Sequence, residues 1–278
     1  SNDLRPSLLS EHKYVPGLLR FDARGQVRFI AGRLPEGQVQ LAVRDVTIEN
    51  HQFRDIKVNL THKNGLADLQ LDSHNPGADF TGQVSSRITS EGRPTSADLQ
   101  LDVRHFSPTL FGLNLNGLTG TMGAQLKASL SSLDFKRPLG EVALTNLNII
   151  PDRNSAPAYH LDRLYLTAKN HPKGSHLRLQ SDFADAAFTG KMDPVLLQKS
   201  LNQWLQTVTA PTNTTTAVAP ANTGNSFALT LKRTDVLRHF LNLDAHLPRP
   251  AVVNGSLATD GSFMRISADI PELTINDN

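Results

Sequence analysis

Apolar residues recur at every second position in short runs along most of the chain. Ile56, Val58 and Leu60 alternate with Lys57 and Asn59. Because successive side chains of a strand point to opposite faces, such a run predicts a β-strand with one apolar and one polar face. Turn residues bound the runs at residues 63–65 (KNG), 75–77 (NPG) and 171–174 (HPKG). The pattern predicts an antiparallel meander.

The pattern is repeated along the chain. Residues 69–71 (LQL) return as 177–179 (LRL), and residues 78–82 (ADFTG) return as 186–190 (AAFTG), both 108 positions later. Upstream, Gly37 to Leu41 matches Gly140 to Leu144 at a distance of 103 positions. The second copy therefore holds five more residues, which we expect in the turn-rich stretch 151–158. Such self-similarity predicts a stack of repeated β units.

A second pattern also occurs twice. A strand around Leu99 leads through a corner at Pro108 to further strands, and a strand around Leu229 leads through Thr234 to strands around Gly255. The two patterns alternate along the chain. The expected fold is mainly β: an elongated repeat of antiparallel strands forming a curved, trough-like (β-taco-like) sheet with one or two short helices.

Four segments are predicted along the chain. Residues 1–34 are predicted to form lead-in strands, with residues 1–17 irregular and a hairpin at Arg24-Gly25. Residues 35–208 form the tandem repeat, which ends in a helix, and residues 209–225 form a linker. Residues 226–278 form a truncated further unit, with a late arm around Ile266 and an open sheet edge at Leu273 or Ile275.

One helix is predicted at the end of the tandem repeat. Asp193-Pro194 combines an N-cap residue with a proline in the first turn, and apolar residues then recur at helical spacing up to Val208. We interpret this helix, which carries Trp204, as closing one end of the sheet; the alternative is a gate or a docking surface for a partner. Residues 209–225 are predicted to be a flexible linker because they contain little to bury.

Composition narrows the possible functions. The 38% hydrophobic and 6% aromatic content suits thin sheets with a light core, and the net charge of +2 is spread without basic runs. This argues against a nucleic-acid binder. The absence of cysteine excludes disulfides, thiolate metal sites and a cysteine nucleophile. The sequence contains no stretch of about 18 apolar residues, the feature that would predict a transmembrane helix.

Catalytic and metal-binding motifs are missing from the sequence. There is no HExxH helix and no GxSxG nucleophile elbow, and residues 117–123 (GLTGTMG) lack the lysine of a phosphate loop. His160 and Asp162 lie on the same face of one strand, but any exposed strand face can carry two polar residues, so the pair does not indicate a site. Acidic residues are expected on loops: Asp72, Asp79, Asp182 and Asp185. They lack the ligand order of a calcium loop, so we expect no enzyme, metal or cofactor.

The second copy resembles a known family. Its residues 159–168 (YHLDRLYLTA) and 177–190 (LRLQSDFADAAFTG) are similar to the repeating units of the TamB translocation and assembly module proteins and of the wider AsmA-like group. Residues 229–235 (LTLKRTD) followed by Gly255 fit the same group, with Bacteroidetes-type features. The resemblance covers most of residues 35–275.

The resemblance implies a long trough-like sheet with an apolar lining, in a periplasmic protein anchored in the inner membrane of a Gram-negative bacterium. It also implies transport of phospholipid or another acyl lipid toward the outer membrane, and in some members an outer-membrane barrel protein as a partner in assembly. The chain starts with Ser1-Asn2 and stops at Asn278, and we expect it to be a fragment of such a protein, with the anchor elsewhere.

Three functions are compatible with these features. The first is a lipid conduit with an apolar groove. The residues expected to line it are Val39, Leu41, Ile56, Val58, Leu60, Leu69, Leu71, Leu99, Leu101, Leu164, Leu166, Leu177, Leu179, Leu229 and Leu231. The second is a scaffold that offers open strand edges to outer-membrane protein clients. The third, a carbohydrate-active β-solenoid enzyme, is disfavoured by scarce aromatic residues and the lack of a convergent carboxylate pair.

Overall fold

The computed structural model describes residues 2–4, 18–32, 34–48, 51–111, 120–134, 137–151, 158–191, 224–235, 244–258, 264–271 and 274–276. The strands are β1 (Asn2–Leu4), β2 (Leu18–Arg28), β3 (Glu36–Ile48), β4 (His51–Lys63), β5 (Leu66–Asn75), β6 (Ala78–Arg87), β7 (Ala97–Phe106), β8 (Gly120–Ser132), β9 (Leu139–Pro151), β10 (Tyr159–His171), β11 (Gly174–Ser181), β12 (Ala184–Gly190), β13 (Asn225–Leu231), β14 (Asp244–His246), β15 (Ala251–Leu257), β16 (Met264–Asp269) and β17 (Thr274–Asn276). A 3₁₀ turn, Pro108–Phe111, follows β7.

Neighbours in the sheet are neighbours along the chain. Among the described residues, fifteen strands follow this order in one antiparallel sheet, with β14 passed over, and β14 pairs with β17 in a two-stranded sheet. The prediction of a mainly β, antiparallel repeat is confirmed. The chain divides into two compact units, the first comprising residues 1–131 with 142–163 and the second residues 132–141 with 164–278.

The N-terminal prediction is wrong in two places. β2 runs without a turn through Arg24-Gly25, and Gly25 lies opposite Val39 of β3. A Cβ at Gly25 would come within 2.7 Å of the Gln38 carbonyl oxygen, so this glycine permits close strand approach instead of forming a hairpin. Residues 2–4, expected to be irregular, form β1 and pair with β2.

The repeat is visible in the strand pairing. Val58 pairs with Leu71, and the residues 108 positions later, Leu166 and Leu179, pair in the same way. Each hairpin has a two-residue turn. In the first copy this is Asn64-Gly65, where both residues have positive φ, the geometry that matches the twist of the strands. The first hairpin of each copy therefore has the same register.

The five extra residues of the second copy lie where the sequence places them. Two residues separate Ile48, at the end of β3, from the start of β4. Seven residues separate Pro151, at the end of β9, from the start of β10. The register of the hairpin that follows this connection is the same in both copies.

Bulges interrupt strict alternation at one level of the first unit. Arg44 is an extra residue in β3 opposite β2, and Arg104 is an extra residue in β7 opposite β6. In β4, Asp55 has a φ of 55°. A bulge moves the residues beyond it to the other side of the strand. For this reason Val43 and Val46, three positions apart, are both buried.

One end of the sheet in the first unit is sealed by a small core. Its buried members are Val43, Val46, Phe53 and Ala78. Phe53 is only 2% exposed, and Leu110 of the 3₁₀ turn packs against the cluster. Gly77 makes room for this packing, because a Cβ there would collide with the Leu110 side chain. The predicted corner at Pro108 thus closes one end of the core.

The C-terminal part differs from the prediction in one respect. The last strand, β17, pairs with β14, so it is not the edge of the main sheet. Among the described strands that edge is β16, which pairs with β15. The predicted helix from Asp193 to Val208 lies outside the described residues, as does most of the linker; β13 begins at Asn225, the last residue assigned to the linker.

A buried asparagine fastens β5 to β4 beside the bulge at Asp55. The side-chain oxygen of Asn75 accepts a hydrogen bond from the Arg54 amide, and its nitrogen donates to the Arg54 carbonyl, both at 2.7 Å. The same nitrogen lies 3.1 Å from the hydroxyl of Ser73. Asn75 thus replaces ladder hydrogen bonds that the bulge disrupts.

Replacing Asn75 by alanine should lower the free energy of unfolding by about 1–3 kcal/mol, because two backbone groups of Arg54 lose their partner. Urea denaturation of the purified protein measures this change. Asn170→Ala is the matched control, since Asn170 is exposed and its side chain has no hydrogen bond in the described part of the chain. An equal loss in both variants would contradict the role given to Asn75.

Candidate functional site

Cross-strand register gathers the apolar side chains of the first unit on one surface. Residues paired across an antiparallel ladder point the same way, so each row of partners shares a face. One row contains Val39, Leu60, Leu69, Val84 and Leu99. The next contains Leu41, Val58, Leu71, Gly82, Leu101 and Leu126. We call this surface the apolar face of the first unit.

The apolar face of the first unit changes from buried to exposed along the strands. At the sealed end Phe53 is 2% exposed, whereas toward the Asn64-Gly65 turn Val39 is 37% and Leu60 43% exposed. Val27, one row further in the same direction, is also exposed. The face is therefore closed at one end of the strands and accessible at the other.

The second unit has an apolar face of its own. One row contains Leu166, Leu179, Ala186, Leu229, Val253 and Ala268. The neighbouring row contains Ala168, Leu177, Phe188, Phe227, Gly255 and Ile266. Leu166 and Leu229 are each 38% exposed, so this face too keeps apolar side chains in reach of solvent.

Every residue predicted to line a groove lies on one of these two apolar faces. The nine predicted residues from Val39 to Leu101 fall on the first and the six from Leu164 to Leu231 on the second. Register brings together residues far apart in sequence, since Leu166 and Leu229 lie in one row. Trp204, the predicted gate or partner residue, lies outside the described residues.

The opposite side of the first unit, its polar face, carries polar side chains in register. One row contains Arg24, Gln40, Asn59, Gln70, Gln83, Gln100 and Lys127. A hollow of about 500 Å³ extends over the part of this row from Asn59 to Lys127 and over the row beside it. The sequence pattern gave no sign of this hollow, because it marks these positions only as polar.

A cluster of charged residues borders the hollow. The Asp79 carboxylate accepts a hydrogen bond from Nε of Arg104 at 3.0 Å and lies 3.0 Å from Nδ1 of His74. Nε2 of His74 is 3.0 Å from an oxygen of Asp72, a lining residue. The Arg104 guanidinium, followed by His74, holds the pKa of Asp79 well below its usual range.

The positions of the acidic residues correct one prediction. Asp72, Asp79 and Asp185 lie within strands, on their polar sides, and only Asp182 lies in a turn. Asp185 accepts a hydrogen bond from Lys232 at 2.7 Å. Among the described residues, no group of three histidine or acidic side chains is arranged to hold a metal ion. Likewise, no helix in the described part of the chain has the length and hydropathy needed to span a membrane.

Comparisons with known proteins leave the chain without a demonstrated family. No family model, no curated protein and no solved structure matches it. The described side chains form two apolar faces with accessible residues and one polar face with a hollow, and the function is inferred from these surfaces.

The charged cluster predicts a pH dependence with a defined sign. Because the pKa of Asp79 is lower in the folded chain than its usual value of 3.8, the pairing stabilises the fold above that pH and is lost as the pH falls below it. An Arg104→Gln variant should raise the pKa of Asp79 toward 3.8 and weaken this dependence. Titration of the carboxyl carbon by NMR measures the shift.

Asp269 provides an internal control for this titration. It pairs with Arg249 in the second unit, which lowers its pKa independently of Arg104. Its titration should be the same in both proteins. An Asp79 pKa that stays low in the variant would show that Arg104 is not the main cause.

Proposed function

We propose that this chain is a non-enzymatic, β-rich segment of an envelope-biogenesis protein and that it binds lipid acyl chains along its apolar faces. The lipid would be in transit between the inner and outer membranes of a Gram-negative bacterium. Location in the periplasm, an inner-membrane anchor in a longer parent protein and kinship with the TamB/AsmA-like group belong to the same proposal. They are supported by the resemblance of residues 159–190 to the repeats of that group.

The observation that supports lipid binding is a row of apolar side chains that crosses several strands and remains partly exposed. Val39 and Leu60 stand side by side in such a row, each more than a third exposed. A closed core would bury these side chains as completely as it buries Phe53. Contiguous exposed apolar surface is a feature of ligand and interaction sites.

The dimensions of the row suit an acyl chain. Strands in a sheet lie about 4.8 Å apart, so five neighbouring strands span roughly 19 Å. The hydrocarbon core of a bilayer is about 30 Å thick and holds two acyl chains end to end, so one acyl chain is shorter than the row. Each methylene removed from water contributes about 0.8 kcal/mol. A chain lying across the row would therefore bind through many weak contacts, without a polar recognition site.

Charged substitutions on the two sides of one strand test this proposal. Leu166 and Tyr165 are adjacent in β10, point to opposite faces and are exposed to a similar extent, 38% and 41%. Leu166→Asp should weaken binding of a fluorescent fatty acid to the apolar face of the second unit by about tenfold, the effect of losing contacts worth about 1.4 kcal/mol. Tyr165→Asp, the matched control, should leave binding unchanged.

Two further measurements complete the lipid test. Leu60→Asp should reduce binding by the first unit in the same way, and native mass spectrometry of the unmodified protein should detect co-purified lipid. Far-UV circular dichroism checks that each variant folds. Equal fatty-acid binding by the Leu166→Asp and Tyr165→Asp proteins would rule out the apolar face of the second unit as a binding surface.

An alternative proposal rests on the strand order. β16 is the last strand of the described sheet, so the side of β16 away from β15 is an edge. An edge strand can pair with a strand of another chain through its main-chain groups. Under this alternative, the segment is a scaffold that assists assembly of outer-membrane proteins, with an outer-membrane barrel protein as a partner of the parent molecule.

Site-specific crosslinking tests the alternative. A photoreactive amino acid at Ser267 in β16 should capture an unfolded outer-membrane protein strand, whereas the same group at the exposed Ser226, in the interior strand β13, should not. The crosslinked products are identified by mass spectrometry. The strand-edge function is excluded if Ser267 captures no more client than Ser226 does.

A further inference from the structure

Amide side chains occupy consecutive strands on the polar face of the first unit. Asn59, Gln70, Gln83 and Gln100 are direct cross-strand neighbours in β4, β5, β6 and β7. We call these four residues the amide row. Within the part of the chain that the structure describes, none of their side chains makes a hydrogen bond. Each therefore offers a free NH₂ group and a free carbonyl oxygen to a ligand.

The amide row lies in a hollow that has room for a ligand. Its volume of about 500 Å³ falls in the range of about 300–1,000 Å³ that is usual for ligand sites. The charged side chains in its lining balance, since Lys57 and Lys127 are matched by Asp72 and Asp102. A hollow without net charge gives no long-range attraction to a polyanion or a polycation. Its chemistry therefore favours a ligand that is polar and uncharged.

We propose that this hollow binds a neutral, linear glycan that runs across strands β4 to β8. Neighbouring hydroxyl groups of a sugar can each donate and accept a hydrogen bond. One amide can therefore donate to one hydroxyl and accept from the next. The amide row repeats this contact at every strand, about 4.8 Å apart. A glycan chain matches that repetition, whereas an acyl chain leaves the amides unpaired.

The lining also predicts how strong the binding is. None of the described residues in the lining is aromatic, so the face has no flat surface on which a sugar ring can stack. Each hydrogen bond to a ligand replaces one to water and contributes little by itself. Affinity should therefore be low for a disaccharide and should increase with chain length until the glycan covers all four amides. This site is separate from the apolar faces and does not depend on lipid binding.

NMR titration of the full chain with neutral oligosaccharides tests the proposal. The probes are cellohexaose and maltohexaose, with the disaccharides cellobiose and maltose for comparison and an oligogalacturonate as the anionic control. The hexasaccharides should shift the side-chain NH₂ signals of Gln70 and Gln83 at lower concentration than the disaccharides do. Gln180, an exposed glutamine in β11 of the second unit, should not respond.

Substitution of the amides distinguishes glycan binding at the amide row from non-specific binding elsewhere on the protein. Gln83→Leu should weaken hexasaccharide binding by about tenfold, and Gln180→Leu should leave it unchanged. Gln70→Leu serves as a second test of the row should Gln83→Leu not fold. The Leu166→Asp variant should still bind the glycan, which distinguishes this site from the proposed lipid site.

Three results would overturn the glycan site. The first is no shift of the amide-row signals at roughly 10 mM hexasaccharide, about tenfold above a weak dissociation constant of ~1 mM. The second is an equal shift of Gln180. The third is equal or stronger binding of the oligogalacturonate, which would indicate recognition of charge.

Discussion

The alternation of side chains between the two sides of a strand is the constraint on which this structure depends. A slip of one residue in any ladder would carry all apolar side chains of that strand to the polar face. The two-residue length of the turn at Asn64-Gly65 prevents such a slip, because it sets where β5 begins relative to β4. The pairing of Val58 with Leu71 is a direct consequence, and it recurs in the second copy.

The two copies differ in strand register only in a way that keeps apolar and polar side chains on separate faces. In the first copy Phe80 pairs with Ser73, whereas its counterpart Phe188 pairs with Leu177, four residues from the counterpart of Ser73. The second hairpin turns two residues earlier, at Asp182-Phe183, and an even shift keeps each side chain on its own side. Equivalent residues of the two copies therefore lie on the same side of the sheet, although the pairing register of the second hairpin differs between the copies.

The bulges of the first unit also keep apolar and polar side chains on separate faces. Phe53 and Ile56 are three positions apart, and both belong to the packed apolar side of β4. Their counterparts Leu161 and Leu164 have the same spacing, and Leu161, like Phe53, is only 2% exposed. The exposed arginine at the β7 bulge, Arg104, pairs with Asp79 on the neighbouring strand. A bulge here buries one more apolar residue per strand and directs a charge to the polar face.

The sequence by itself determined most of the strands and their turns, the position of the five-residue insertion and the parity of the groove residues, because these follow from local backbone geometry. It misjudged Arg24-Gly25, since a glycine suits either a turn or a close strand contact, and it placed Asp79 and Asp185 on loops although they lie in strands. Only the tertiary structure decided the bulges, the Leu110 seal, the graded exposure from Phe53 to Leu60 and the amide row with its hollow. These features depend on which residues of separate strands become neighbours, and that choice is made by pairing across the sheet.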